Sequence, residues 1–87
     1  VTNAQKNMME PILVELSPRR TTEKDVPHEG EEFGYVLAGS ITIWLGNKKY
    51  RCNKGESFYF VSSKTHYIEN PRDTTAKFLW VSCPPNF

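Results

Sequence analysis

Residues 33–47 read FGYVLAGSITIWLGN, which is two candidate β-strands followed by a turn. The first strand, residues 33–37, is aromatic and β-branched. The second, residues 40–45, alternates, with Ile41, Ile43 and Leu45 predicted on one face. Gly46 and Asn47 then fit a two-residue hairpin turn of type II′, which has glycine at its first position. This stretch predicts antiparallel β-structure.

The same pattern continues on both sides of this stretch. Strands are predicted over residues 12–16, 33–37, 40–45, 48–52, 57–61, 66–69 and 76–82. About seven short strands, with turn signals roughly every 8–12 residues, favour a sandwich or barrel over alternating strands and helices. Residues 1–11 are expected to be a linker or N-terminal arm, and residues 12–87 a single all-β domain.

Size and charge narrow the classes of function. The chain has 87 residues and a net charge of +1, from 11 basic and 10 acidic residues. This balance argues against direct binding to nucleic acid or to an anionic membrane.

A single domain this small buries a limited core, so a homodimer is expected. Without a secretory signal, the two cysteines are expected to be reduced thiols in the cytoplasm. The absence of an initial methionine suggests a fragment of a longer protein.

One imidazole and three carboxylates lie within residues 28–32, just before the first aromatic strand. A second histidine, His66, follows 34 residues after Glu32. If strand pairing brings His28, Glu32 and His66 together, they can hold zinc, nickel, manganese, iron or copper, or bind a small polar ligand. Gly34 shares a strand face with Glu32. It could leave room for a ligand above the carboxylate or could mark a bulge.

These residues resemble the two short motifs of the cupin superfamily. His28, Glu32 and Gly39 fit the second half of the first motif, and His66-x3-Asn70 fits the end of the second. The resemblance implies an antiparallel β-barrel of the double-stranded jelly-roll type, with a divalent metal held by His28, Glu32 and His66.

One position departs from that pattern. The first metal histidine of the motif would fall on Val26, which cannot bind a metal. The departure implies either a weaker metal site or direct binding of an organic ligand.

A narrower resemblance concerns residues 9–14, 28–37, 57–60 and 79–85. They look like the C-terminal half of bacterial regulators in which a helix-turn-helix DNA-binding domain precedes a cupin sensor. This implies a homodimeric domain that binds a small-molecule effector and meets DNA only through a domain absent from this sequence. The residues expected to contact the effector are His28, Glu32, Gly34, Tyr59 and His66.

Two other functions remain open. The first is a metal-dependent enzyme of dioxygenase, isomerase or lyase type, with Tyr59 or Glu31 as acid or base. The second is a structural dimerisation barrel filled by side chains such as Trp44, Trp80 and Phe58. Of the enzyme and the sensor, the sequence favours the sensor.

Overall fold

The computed structural model of the chain describes residues 8–85, and these residues form seven antiparallel β-strands. The strands are β1 (Glu10–Leu16), β2 (Glu31–Ala38), β3 (Ser40–Leu45), β4 (Lys48–Asn53), β5 (Ser57–Val61), β6 (His66–Glu69) and β7 (Ala76–Cys83). The all-β prediction is confirmed. Each predicted strand is present, and its ends lie within two residues of the predicted ones.

The strands form two sheets that enclose one core. The first sheet has the order β1-β7-β2-β5, and the second has the order β4-β3-β6. A single cluster of buried apolar side chains joins them: Val36, Phe58, Phe60 and Phe78 come from the first sheet, and Ile41, Ile43 and Ile68 from the second. Strand alternation sends every second residue of β2, β5 and β7 inward, which is the jelly-roll arrangement.

Two glycines allow the chain to turn where the fold requires it. Gly39 alone connects β2 in the first sheet to β3 in the second, with a φ of 77° that glycine adopts without a steric penalty. Gly46 has a φ of 62°, and Asn47 has no positive φ, which agrees with the predicted type II′ turn.

The connection between β1 and β2 lies against the free edge of β6. Thr21 bridges to Glu69, and Asp25 bridges to His66 through backbone hydrogen bonds of 2.8 and 3.0 Å. The backbone N–H of His28 then donates to the carbonyl of Ser62. These bonds close one end of the barrel and carry His28 to that end.

Several smaller expectations can be compared with the structure. β1 begins at Glu10, so residues 10–11 belong to the barrel, while residues 1–7 of the expected arm lie outside the described residues. Cys52 and Cys83 are free thiols, as expected. Across residues 8–85, no helix is long and apolar enough for a membrane crossing.

Candidate functional site

His28, Glu32 and His66 meet at one end of the barrel. Each offers a nitrogen or oxygen, and these three atoms lie within 4.8 Å of one another. Glu32 points inward from β2 in the first sheet, and His66 begins β6 in the second, so the cluster spans both sheets. Glu32 and His66 are each 1% exposed, and His28 is partly exposed at the mouth.

The backbone sets the tautomer of both histidines. Nδ1 of His28 lies 3.0 Å from the carbonyl oxygen of Glu29, and Nδ1 of His66 lies 2.9 Å from that of Lys64. A carbonyl oxygen only accepts, so each Nδ1 must carry the proton. In the neutral imidazoles each Nε2 therefore carries the lone pair, which is how a metal-binding imidazole is usually oriented.

Glu32 is held by donors on both carboxylate oxygens. The indole N–H of Trp80 donates to Oε1 at 2.7 Å, and the hydroxyl of Ser62 donates to Oε2 at 2.8 Å. Burial is the largest single influence on Glu32 and acts to raise its pKa. The neighbouring His66, Ser62 and Trp80 together outweigh burial, so the pKa of Glu32 lies below its ordinary value.

His66 is the most constrained member of the cluster. Its Nε2 lies 2.8 Å from Oε2 of Glu32, but the ring does not aim this nitrogen at that oxygen. Nε2 is therefore a buried atom without a well-directed hydrogen-bond partner. Burial alone would lower the pKa of His66. Contact with Glu32, the bond to Lys64 and the charge of Asp25 outweigh burial and raise it.

The donor set fits a divalent transition metal. Two atoms that each lie about 2.0–2.1 Å from one ion, at angles of 90–109°, are roughly 2.8–3.4 Å apart. Oε2 of Glu32 lies 2.8 Å from Nε2 of His66 and 3.4 Å from Nε2 of His28. Two imidazoles and one carboxylate at these distances can bind an ion and leave some of its coordination positions open. Nε2 of His66 has no well-directed partner in the protein, which agrees with such a site.

The other residues expected at the site lie outside this cluster. Gly34 faces inward, but the Phe58 ring fills the space beside it, because a Cβ there would lie 2.1 Å from that ring. The glycine therefore admits a ring rather than a ligand, and the strand irregularity lies further along, between Val36 and Ala38. Tyr59 is exposed on the outer face of β5, where its hydroxyl donates to Glu31.

Three residues that support the cluster were missed in the sequence. Trp80 and Ser62 hold Glu32, and Oδ2 of Asp25 lies 3.4 Å from Nε2 of His66. The sequence indicates only core packing for Trp80, because a tryptophan in an apolar strand carries no sign of its hydrogen bond. A signal did exist for Asp25: it is a carboxylate next to Val26, the position expected to hold a histidine.

An open groove runs beside the cluster, along the seam where β4 and β5 face each other without pairing. One part of it encloses about 220 Å³ and is lined by Leu45, Tyr50, Phe60 and Lys64 among others. A neighbouring part of about 230 Å³ is bordered by Tyr59. The Phe60 ring also packs against the His66 ring, with centroids 5.1 Å apart, so it separates this groove from the cluster.

Comparison of the sequence with known proteins identifies a family and several relatives. The profile of the cupin domain family (Cupin_2) matches residues 12–82. The chain is 34% identical over 58 residues to the uncharacterized protein MJ1618 of Methanocaldococcus jannaschii, covering 67% of this chain and 46% of that protein. It is 26% identical over 76 residues to the HTH-type transcriptional regulator PuuR of Escherichia coli, covering 87% of this chain and 41% of the regulator.

The fold is shared with solved structures. The crystal structure of the Cupin_2 domain of an XRE family transcriptional regulator from Enterobacter cloacae superposes with a TM-score of 0.79. The two are 17% identical, and the match covers 91% of this chain and 84% of that one. Against the curated relatives, by contrast, the chain spans less than half of their length.

Proposed function

The chain belongs to the cupin domain family, and from that premise we propose that it is the effector-sensing domain of a bacterial transcription regulator. In this proposal His28, Glu32 and His66 hold a divalent transition metal, and a small polar molecule is recognised at this end of the barrel. The main support is the geometry of the histidines. Both Nε2 atoms lie near Oε2 of Glu32, and both Nδ1 atoms donate to backbone carbonyls.

The link to transcription rests on the related regulators. The chain is similar over most of its length to part of PuuR, which is named as a helix-turn-helix regulator. Residues 8–85 contain no helix, so a DNA-reading helix would have to belong to another domain. A net charge of +1 agrees with this division, because it supplies no field that attracts DNA. A regulator of this kind works in the cytoplasm, where it meets DNA.

The metal would supply a Lewis-acidic centre with positions left for the effector. The chain's own residues orient and insulate that centre. Trp80 and Ser62 fix the carboxylate of Glu32, and the carbonyls of Glu29 and Lys64 fix the two imidazoles. Phe60 lies between His66 and the open groove, so the effector would reach the metal from the mouth of the barrel, where His28 is partly exposed, and not from the groove. Tyr59 borders the groove and is therefore not part of the proposed effector site.

Metal titration of the protein tests the first half of the proposal. We expect calorimetry on chelator-treated protein to give one site per chain for at least one of Mn²⁺, Fe²⁺, Ni²⁺, Zn²⁺ or Cu²⁺. The site should be lost in His66→Ala and Glu32→Gln. Glu31→Gln is the matched control, because Glu31 precedes Glu32 on β2 but points outward. Equal binding in all variants, or none in the wild type, would remove the metal from the proposal.

Thermal unfolding with a panel of metabolites tests the second half, with and without metal. A ligand present at about 100 times its Kd stabilises the folded state by about 2.7 kcal/mol. For a domain of this size that corresponds to a rise in Tm of roughly 10–20 °C. If no compound in a broad panel raises Tm in either state, sensing is rejected.

The alternative is a metal-dependent enzyme, since two histidines and one carboxylate also occur in iron(II) oxygenases. The structure offers it less support. Tyr59 and Glu31, the expected acid or base, contact each other on the outer face of the sheet, whereas Glu32 faces inward. Conversion of a bound metabolite by the metal-loaded protein, lost in His66→Ala, would reverse this preference.

A further inference from the structure

The core face of β4 is left partly uncovered. Strand register places Cys52 opposite Ile41 and Tyr50 opposite Ile43, so these side chains all point to the core side of the second sheet. Ile41, Ile43 and Cys52 are each at most 3% exposed, whereas Tyr50 is 52% exposed. The core therefore ends at an aromatic ring that no strand of the first sheet covers.

One continuous groove lies over this uncovered face. Its three adjoining parts enclose about 220, 230 and 270 Å³. The first two parts share Leu45, Tyr50 and Phe60, and the last two share Ile43, Tyr50 and Phe58. The groove is therefore long and follows β4 and β5, which is the shape of an extended segment.

Two unpaired strand edges border this groove. Within residues 8–85, β4 pairs only with β3, and β5 pairs only with β2. Hardly any Cα atom of β4 lies within 8 Å of a Cα atom of β5, whereas hydrogen-bonded strands lie about 4.7–4.9 Å apart. The seam is thus too wide for these strands to pair, and their outer backbone groups are available to an added strand.

The charges around the groove are mostly positive. Its charged lining residues are three cations, Lys48, Arg51 and Lys64, and one carboxylate, Glu56. The edge strand β5, residues 57–61, carries no charge. Acidic side chains on a segment paired with β5 would therefore be attracted to the cations opposite. Its inward side chains would meet Tyr50 and should be apolar, because strand residues alternate.

We propose that this groove binds an extended peptide segment of a partner protein, in which acidic and apolar residues alternate, as an added strand along the free edge of β5. Lysines on an edge strand discourage pairing between two copies of one chain, which leaves the edge to an acidic partner. Each of the seven strands is already paired within its sheet, so a second folded copy has no single strand to insert. Residues 1–7 contain Lys6 and no acidic residue, so they lack the complementary charge.

Fluorescence anisotropy with labelled synthetic peptides tests the proposal. The probes are about seven residues long, close to one strand, and alternate glutamate with valine, leucine or phenylalanine. We expect at least one of them to bind saturably, while the peptides with lysine in place of glutamate do not. The same peptide with N-methylated backbone amides should also fail to bind, because it cannot donate hydrogen bonds to β5. Binding of none of the glutamate peptides, or equal binding of the N-methylated one, would overturn the proposal.

Charge reversal in the groove gives a matched comparison. Lys48→Glu should weaken binding about three-fold, and the double variant Lys48→Glu/Lys64→Glu about ten-fold, because each exposed ion pair contributes a factor of a few. Lys77→Glu is the control and should leave binding unchanged, since it makes the same change on the outward face of β7. The double variant should bind the lysine peptides better than the wild type does, which also shows that its groove is intact. Equal weakening by Lys77→Glu, or none in the double variant, would contradict the proposal.

Amide hydrogen exchange locates the bound segment. A saturating glutamate peptide should slow exchange in β5 but not in β1, the other outer strand of the same sheet. Slower exchange in β1 alone would place the peptide elsewhere and reject the groove. The proposal goes beyond sensing and does not depend on it, because Phe60 lies between the groove and His66. Peptide binding should be the same with and without a chelator, so the two proposals fail separately.

Discussion

Replacing Glu32 with glutamine removes one charge from the centre of the candidate site and leaves its shape unchanged. In the folded protein, the donors around Glu32 hold its pKa below the ordinary value even though burial acts in the other direction. A lowered pKa means that the fold favours the charged carboxylate over its protonated form more than water does. Glutamine has no charge and only one acceptor oxygen. If that oxygen keeps the bond from the Trp80 indole N–H, the amide N–H faces Ser62, whose hydroxyl must then change from donor to acceptor.

The expected cost follows from these contacts. A hydrogen bond to a charged group contributes about 1.5–3 kcal/mol, and breaking a buried ion pair costs about 3–5 kcal/mol. Glutamine keeps one acceptor oxygen, so we expect Glu32→Gln to lower the free energy of unfolding by about 3 kcal/mol. In a domain of this size, Tm falls by roughly 12–24 °C.

Chemical denaturation and NMR titration of the His66 ring measure the two consequences together. Without the carboxylate, burial is the main remaining influence on His66, so its pKa should fall from its raised wild-type value. Glu31→Gln is the matched control and should change the free energy of unfolding by less than about 0.5 kcal/mol, as exposed substitutions usually do. The reasoning is refuted if Glu32→Gln is no more destabilising than Glu31→Gln and the His66 titration does not move.

Three further predictions concern the metal-free protein. Stability should peak between pH 4.5 and 6.5, the ordinary pKa values of Glu32 and His66. Stability should fall at lower pH as Glu32, with its lowered pKa, is protonated. It should fall at higher pH as His66, with its raised pKa, loses its proton. Equilibrium unfolding at a series of pH values would show this, and a flat profile would contradict it. Asn70→Ala should lower the free energy of unfolding in urea by about 2–4 kcal/mol. The two amide N–H groups of the buried Asn70 are shared among three backbone carbonyls, and its oxygen accepts a backbone N–H. A loss below about 1 kcal/mol would contradict this. Gly34→Ala should lower the free energy of unfolding by about 1–3 kcal/mol through overpacking, since its Cβ would lie 2.1 Å from the Phe58 ring and 2.7 Å from a backbone oxygen. Gly55→Ala is the control. A Cβ there has nothing within 4 Å, so the loss should be about 1 kcal/mol through the positive φ alone.

Local patterns in the sequence were sufficient to predict the strands. Alternation with period two and turn residues such as Gly46-Asn47 act over a few neighbours, so the chain carries them without reference to distant parts. The prediction for β3 shows the limit of this approach. Alternation puts Thr42 on the face opposite Ile41 and Ile43, yet all three are buried. Alternation indicates opposite faces of a strand but does not say whether the outer face is covered.

The candidate site was only partly visible in the sequence. Residue types and spacing singled out His28, Glu32 and His66, because imidazoles and carboxylates are common metal ligands and their spacing resembles the two cupin motifs. The same reasoning gave Gly34 and Tyr59 an inward role beside them, although Phe58 fills the space at one and the other points outward. A strand assignment gives relative faces, and only the packing of the second sheet determines which space remains.

Local patterns in the chain were therefore enough to predict the all-β architecture, the strand ends to within two residues and the three residues that could bind a metal. That these residues meet, and that Trp80 and Ser62 hold the carboxylate, follows only from the packed fold. The difference lies in the range of the interactions. Strand propensity and turn geometry are local, whereas the contact between Glu32 on β2 and His66 on β6 exists only after two sheets pack around a shared core.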